Sequence, residues 1–275
     1  MKITAQQVNE LRKATGAGMM DCKKALVETN GDKEKAIDYL RKKGQKVAAK
    51  RADRDATEGV VLAKVSEDSK FAAAVMINCE TDFVAKNQDF IDYVKSVIDL
   101  AVANRVKSID ELKALSLGDR SVEESVIDKT GVIGEKIELS HYEVVEAESV
   151  YAYIHPGNRI ASIAGLNKAG EAFADAGHDV VMQIAAMAPV AVDKDRVAED
   201  VIRREIEIGK EQARQEGKPE EMIERIATGK LNKFFKENTL LNQAFIKDSK
   251  KNIQQYLQGF DKNLTVTDFK RLALG

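Results

Sequence analysis

Phe71-Ala72-Ala73-Ala74-Val75-Met76-Ile77-Asn78-Cys79-Glu80-Thr81-Asp82-Phe83-Val84-Ala85-Lys86 decides how this chain is read. From Phe71 to Cys79 the run is apolar and β-compatible, as in a strand covered on both faces. Asp82 breaks the run, and Asn87 can cap the helix that follows. Phe83 therefore falls just beyond the strand, in a loop or at a strand edge, next to a charge. A Phe left in water forgoes about 1.5–3 kcal/mol of burial energy. Its ring belongs either in the protein's own core or in the pocket of a partner, and on pattern alone the core is the expectation.

Outward from this stretch the chain repeats itself. Residues 59–65 and 71–79 read as two strands about the polar turn Glu67-Asp68-Ser69, followed by an amphipathic helix over 87–104 that turns Phe90, Ile91, Val94, Val97, Ile98 and Ala101 inward. Residues 151–155 and 159–166 likewise flank Pro156-Gly157-Asn158, with a helix expected over 179–188. Hairpin plus helix, twice, implies a duplicated α+β unit. Between the halves, Ser108 with Glu111 and Ser121 with Glu124 form capping boxes that open helices, and a strand is expected over 136–145.

The N-terminal residues 1–44 read as three short helices. Thr4 and Gln7 form a capping box, Gly16-Ala17-Gly18 a turn, and Asp32 a cap for a third helix that stops at Gly44; residues 46–55 read as an exposed basic helical linker. Beyond the second half, 193–215 and 219–236 are charged helices separated by Gly217-Lys218-Pro219. They form an antiparallel hairpin that is either a solvated surface feature or an interaction arm. A helix over 249–258 and a strand over 264–269 close the chain. The expected class is α+β, with a helical module and linker at 1–54, one core half at 55–147, and another at 148–275 that carries the hairpin at 193–236 and a short C-terminal module.

Composition bounds the function. The net charge of −2 conceals an asymmetry: residues 1–54 carry 14 Lys/Arg against 7 Asp/Glu, and the remainder 29 against 38. The front should attract acidic surfaces, of nucleic acid or of protein. RNA recognition would require aromatic stacking residues among the basic ones, and Tyr39 is the only aromatic residue there. Cys22 and Cys79 are too few and too far apart for a disulfide framework. With no signal-like apolar segment near Met1 and no run long enough to span a bilayer, a cytoplasmic protein without a membrane anchor is expected.

Signatures of bond-making chemistry are absent. Gly16-Ala17-Gly18-Met19-Met20-Asp21 lacks the third glycine of a dinucleotide loop and joins helices, no P-loop occurs, and His141, His155 and His178 have no zinc-site spacing. No catalytic residue, metal ligand or cofactor is assigned. His155, at the mouth of a strand–turn–strand, is a base, a contact residue or a plain turn residue on sequence alone.

Three motifs then carry a resemblance. Thr15-Gly16-Ala17-Gly18-Met19-Met20-Asp21-Cys22-Lys23-Lys24-Ala25-Leu26 and Cys79-Glu80-Thr81-Asp82-Phe83-Val84-Ala85-Lys86 resemble the two signatures of the bacterial elongation factor Ts family. His155-Pro156-Gly157-Asn158-Arg159-Ile160 is similar to that family's His-containing loop, with Pro156 and Asn158 where many members have a Gly-Gly pair before Arg. The resemblance covers the whole chain in order. It implies a ubiquitin-associated-like helical trio, two related core subdomains, a projecting hairpin and a C-terminal module. It also implies guanine-nucleotide exchange on elongation factor Tu, GDP-bound and nucleotide-free, in translation elongation, without bond-making chemistry and without direct nucleic-acid contact. In that reading Thr81, Asp82, Phe83 and Val84 enter the partner and dislocate its magnesium, with Phe83 as an apolar wedge. Arg12, Met19, Met20 and His155 are further partner contacts, the His loop acting on the phosphate-binding side. Arg12 is otherwise a solvated helix charge, and Met20 is otherwise core packing.

Overall fold

The computed structural model describes residues 3–275. Three helices open it: α1 (Ala5–Thr15), α2 (Met19–Glu28) and α3 (Lys33–Arg51). Thr4 and Gln7 make the expected reciprocal cap, and Asp32 accepts from the Lys35 N–H at the start of α3. Val8, Leu11, Cys22, Ala25, Leu26 and Ala36 form the core of this trio. The third helix does not stop at Gly44. It continues for seven residues because Gln45 to Arg51 are good helix formers, and Gly44 sits buried inside it instead of capping it.

The hairpin of β1 (Glu58–Val65) and β2 (Phe71–Cys79) follows as expected. Next come the single turn α4 (Asp82–Ala85), α5 (Gln88–Ala103), α6 (Ile109–Ala114), the short pair β3 (Ser116–Leu117) and β4 (Arg120–Ser121), α7 (Val122–Ile133) and β5 (Glu138–Glu146). The first sheet has the order β1-β2-β5, so β2 is central, and all nine of its residues are buried. Its unbroken apolar run is the sequence cost of being covered on both faces. Asn87, Ser108 and Ser121 cap α5, α6 and α7.

The rest comprises β6 (Ser149–Ile154), β7 (Ile160–Leu166), α8 (Ala174–Met187), α9 (Glu199–Gln215), α10 (Glu220–Asn238), β8 (Ala244–Phe245), β9 (Asp248–Asn252), α11 (Ile253–Gln258) and β10 (Val266–Ala273). β7 lies between β6 and β10 and is antiparallel to both. α8 packs on this sheet, pinned where Ser162 Oγ donates to the Val181 carbonyl (2.6 Å). Leu166, Val180, Ile184, Leu240, Ile253, Leu257 and Val266 fill the core. The expected helix over 249–258 shortens to α11, because residues 248–252 turn back to pair with β8. Likewise the first hairpin helix begins at Glu199, after a 3-10 turn over Lys194–Arg196.

The hairpin of α9 and α10 is held by a seam of small residues and one Ile: Gly209, Ala213, Ile223 and Ala227 are the buried residues of the two helices. Ion pairs such as Lys210–Glu224 (2.8 Å) and Lys230–Glu216 (3.1 Å) link the helices. Exposed pairs of this kind are screened by solvent and add little, so the seam sets the geometry.

Contacts divide the chain into two units, Met1–Val61 with Val75–Tyr142 and Leu274–Gly275, and Leu62–Ala74 with Glu143–Ala273. Among the described residues no helix is long and apolar enough to cross a membrane.

Within the first unit α3 crosses α7 at two glycines. A Cβ on Gly131 would overlap the Gly44 backbone, whereas one on Gly44 would stand 3.4 Å from Gly131 Cα. The two positions should therefore respond oppositely. Gly131→Ala is expected to destabilise by about 1–3 kcal/mol through overpacking, and Gly44→Ala to be neutral or mildly stabilising through its gain of about 0.8–1 kcal/mol in helix propensity. Chemical denaturation of both variants distinguishes these outcomes.

Candidate partner-binding surfaces

The segment after β2 is fixed residue by residue. The Cys79 thiol donates to the Thr81 carbonyl (3.2 Å), and burial, with the charge of Glu135 second, pushes that thiol up to about 12. Thr81 is extended and caps α4, its hydroxyl accepting from the Val84 N–H (3.4 Å). The same hydroxyl donates to Glu135 Oε1 (2.8 Å), while the Thr81 N–H donates to Oε2 of that carboxylate (3.0 Å). One residue earlier, Glu80 accepts from the Lys136 N–H (2.6 Å) and from Arg51 Nη1, which spans both carboxylate oxygens at 2.7 and 2.9 Å.

On this mount Phe83 is 83% exposed. The expectation of core burial drawn from pattern alone is thereby corrected. The strand ends at Cys79, and in the helical turn that begins at Asp82 Val84 and Ala85 are half-buried while Phe83 faces water. Asp82 pairs with Lys86 (2.7 Å), whose hydrogen bond and charge hold its carboxyl below the usual range. An anionic group and an apolar ring thus stand side by side on a short ordered helix.

Arg12, Met19 and Met20 are brought together. Gly16 ends α1 in the left-handed region (φ +68°), donating its N–H to the Arg12 carbonyl (2.8 Å), and the turn starts α2 at Met19. α2 buries Cys22, Ala25 and Leu26, which leaves Met19 and Met20 at 60% and 74% exposure. Core packing of Met20 is thereby excluded. With Ile3, Val8, Arg12 and Lys23 the two methionines line one open groove. Lys35 pairs with Asp32 and Lys43 with Asp21 inside the segment, and Arg51 pairs with Glu80 beyond it, so most of the positive excess of residues 1–54 remains.

His155 belongs to the second unit. It is exposed at the turn between β6 and β7, where its Nδ1 is 3.0 Å from the Tyr153 hydroxyl, and Gly157 and Asn158 both have positive φ (92° and 56°). Among the described residues no cluster of His, Cys, Asp or Glu could hold a metal ion.

Sequence reasoning missed Arg51, Glu80 and Glu135 as supports of the exposed turn. Glu135 is 54 residues from Thr81, and nothing in its local pattern marks it.

Comparison with known proteins closes the description. Residues 80–275 match the family model described as elongation factor TS. The chain is 51% identical over 276 residues to elongation factor Ts of Amoebophilus asiaticus, covering all of both chains. It is 53% identical over 274 residues to that of Cytophaga hutchinsonii, covering 99% of each, and 49% identical over 275 residues to that of Porphyromonas gingivalis, covering 100% of this chain and 99% of the relative.

The Lys136 N–H, first, and Arg51, second, lower the Glu80 carboxyl from 4.5. A depressed carboxyl contributes stability that is complete above its unfolded value and lost as pH falls through the folded one. Followed by carboxyl-carbon NMR, Glu80 should titrate below 4.5, and Arg51→Met should move its midpoint upward.

Proposed function

The chain belongs to the elongation factor Ts family, and from that membership we propose that it releases GDP from elongation factor Tu by seating the Asp82–Phe83 turn in the partner's nucleotide domain. As a member it is a nucleotide-exchange factor for elongation factor Tu in translation elongation, without bond-making chemistry of its own. The observation that carries the proposal is the exposure of Phe83 on a fixed turn. In water the ring forgoes about 1.5–3 kcal/mol, an amount recovered when it is buried against the partner. Asp82, beside it, competes there for the hydrogen bonds that organise the partner's magnesium and its waters. Thr81 and Val84 complete the contact.

The groove of Arg12, Met19 and Met20 forms a second contact. Its unbranched, polarizable side chains adapt to an apolar surface, and Arg12 supplies a charge for an acidic rim. The His155 turn is a third, directed to the phosphate-binding side. The chain uses no cofactor and acts in the cytoplasm.

In domain terms residues 1–54 are a docking module of the ubiquitin-associated type with its linker. Residues 55–147 and 148–275 are related core subdomains, the latter bearing the hairpin at 193–236 and the C-terminal module. Each half runs hairpin, then helix: β1, β2 and α5 in one, β6, β7 and α8 in the other. Factor and nucleotide are linked reciprocally, so whatever affinity GDP loses in the complex the factor loses when nucleotide returns.

Catalytic amounts of the chain should accelerate release of labelled GDP from elongation factor Tu, and excess GDP should dissociate the binary complex. Phe83→Ala should stay within about 1 kcal/mol of the parent in stability, where a core Phe would cost about 3–5, yet lose at least about tenfold in exchange rate. Asp82→Ala should act in the same direction with a smaller effect. An unstable Phe83→Ala, or a stable one with normal exchange, contradicts the assignment.

Replacing Arg12, Met19 and Met20 together should weaken formation of the complex, measured by titration calorimetry, while the fully assembled complex still releases GDP. Unchanged affinity would remove the groove from the interface.

A further inference from the structure

We infer that Glu135 and Arg51 are positioning residues for nucleotide exchange, holding the Asp82–Phe83 turn through a reciprocal carboxylate clasp. The inference rests on that turn being the exchange element. Its geometry is closed. The Glu135 carboxylate accepts the backbone N–H of Thr81, the residue after Glu80, and the Glu80 carboxylate accepts the backbone N–H of Lys136, the residue after Glu135. Each glutamate thus binds the backbone next to the other.

Two further bonds give the clasp direction. The Thr81 hydroxyl, which caps α4, donates to Glu135 Oε1, so the carboxylate orients the group that starts the helix bearing Phe83. Arg51, at the last turn of α3, spans the Glu80 oxygens and supplies the opposite charge that a largely covered carboxylate needs, the Glu80 side chain being only 17% exposed. Glu80, Glu135 and Arg51 are part-buried, whereas Phe83 is exposed. They act through Thr81, by restricting the turn before a partner arrives. A wedge held in its binding geometry spends less contact energy on ordering, and this appears in the exchange step.

The test compares the parent with Glu135→Ala, Glu135→Gln, Arg51→Ala and Phe83→Ala. Two readouts are used: GDP release from elongation factor Tu as a function of factor concentration, and hydrogen exchange of the Thr81 amide in the free protein. Loss of a charge-assisted bond predicts at least about tenfold faster Thr81 exchange in Glu135→Ala. The same variant should show at least about a tenfold lower maximal release rate, with a smaller change in half-saturating concentration. Glu135→Gln, which keeps one acceptor, should fall between, and Arg51→Ala should act in the same direction. If Glu135→Ala does not fold, Glu135→Gln and Arg51→Ala decide by the same readouts. A full maximal rate in the clasp variants beside a defective Phe83→Ala overturns the inference, as does a lost rate with Thr81 protection intact. Normal exchange by Phe83→Ala would instead overturn the underlying assignment, and the Thr81 amide would still report on the clasp.

Discussion

The burial of β2 on both faces is the constraint from which the rest follows. A central strand with nine covered residues contributes heavily to the core, but it ends abruptly, because Glu80 and Thr81 must leave the sheet while still largely covered. Backbone donors and acceptors at such an exit cannot all reach water, and leaving one unpaired costs about 1–3 kcal/mol. The chain meets this demand with Glu80, Glu135, the thiol of Cys79 and the hydroxyl of Thr81. The turn that follows is ordered as a result, and an exposed ring on it has one place to be.

A factor that gripped its GTPase with a large apolar surface would resist displacement by returning nucleotide, because coupling between two ligands is symmetric. In the proposed function the local disturbance falls to Phe83 and Asp82, which stand on an ordered helical turn. Met19 and Met20, unbranched side chains suited to adaptive contact, stand at 60% and 74% exposure over the closed core of the three helices.

The sequence was informative wherever local physics decided the outcome. Capping pairs placed the starts of α1, α6 and α7, the apolar run delimited β2 to the residue, and Gly217 with Pro219 divided the hairpin. It misled where a tertiary partner outweighed a local signal. Residues 248–252 read as helix until β8 is there to pair with them, and Gly44 reads as a helix stop although the helix formers after it carry α3 on to Arg51. For the candidate surfaces, the general burial preference of an aromatic ring placed Phe83 inside, and only its motif moved it out. Arg51 and Glu135 were invisible, since an isolated charge on a helix or after one carries no sign of a partner dozens of residues away.

The two helices that cross at Gly44 and Gly131 also deliver the two outer members of the clasp, and this makes the crossing a lever pivot. Arg51 lies seven residues beyond Gly44 on the same helix, an arm of about 10 Å at 1.5 Å per residue. Glu135 follows Gly131 by four residues, just past the end of α7. A tilt of about 5° at the pivot would shift the tip of the longer arm by nearly 1 Å over that length, enough to break a hydrogen bond at one end of the clasp. Backbone-to-backbone contact between glycines allows little such play, as no flexible side chain lies between the helices to absorb it. The mechanical tolerance of the Phe83 mount is thus set at a site where neither residue has a side chain.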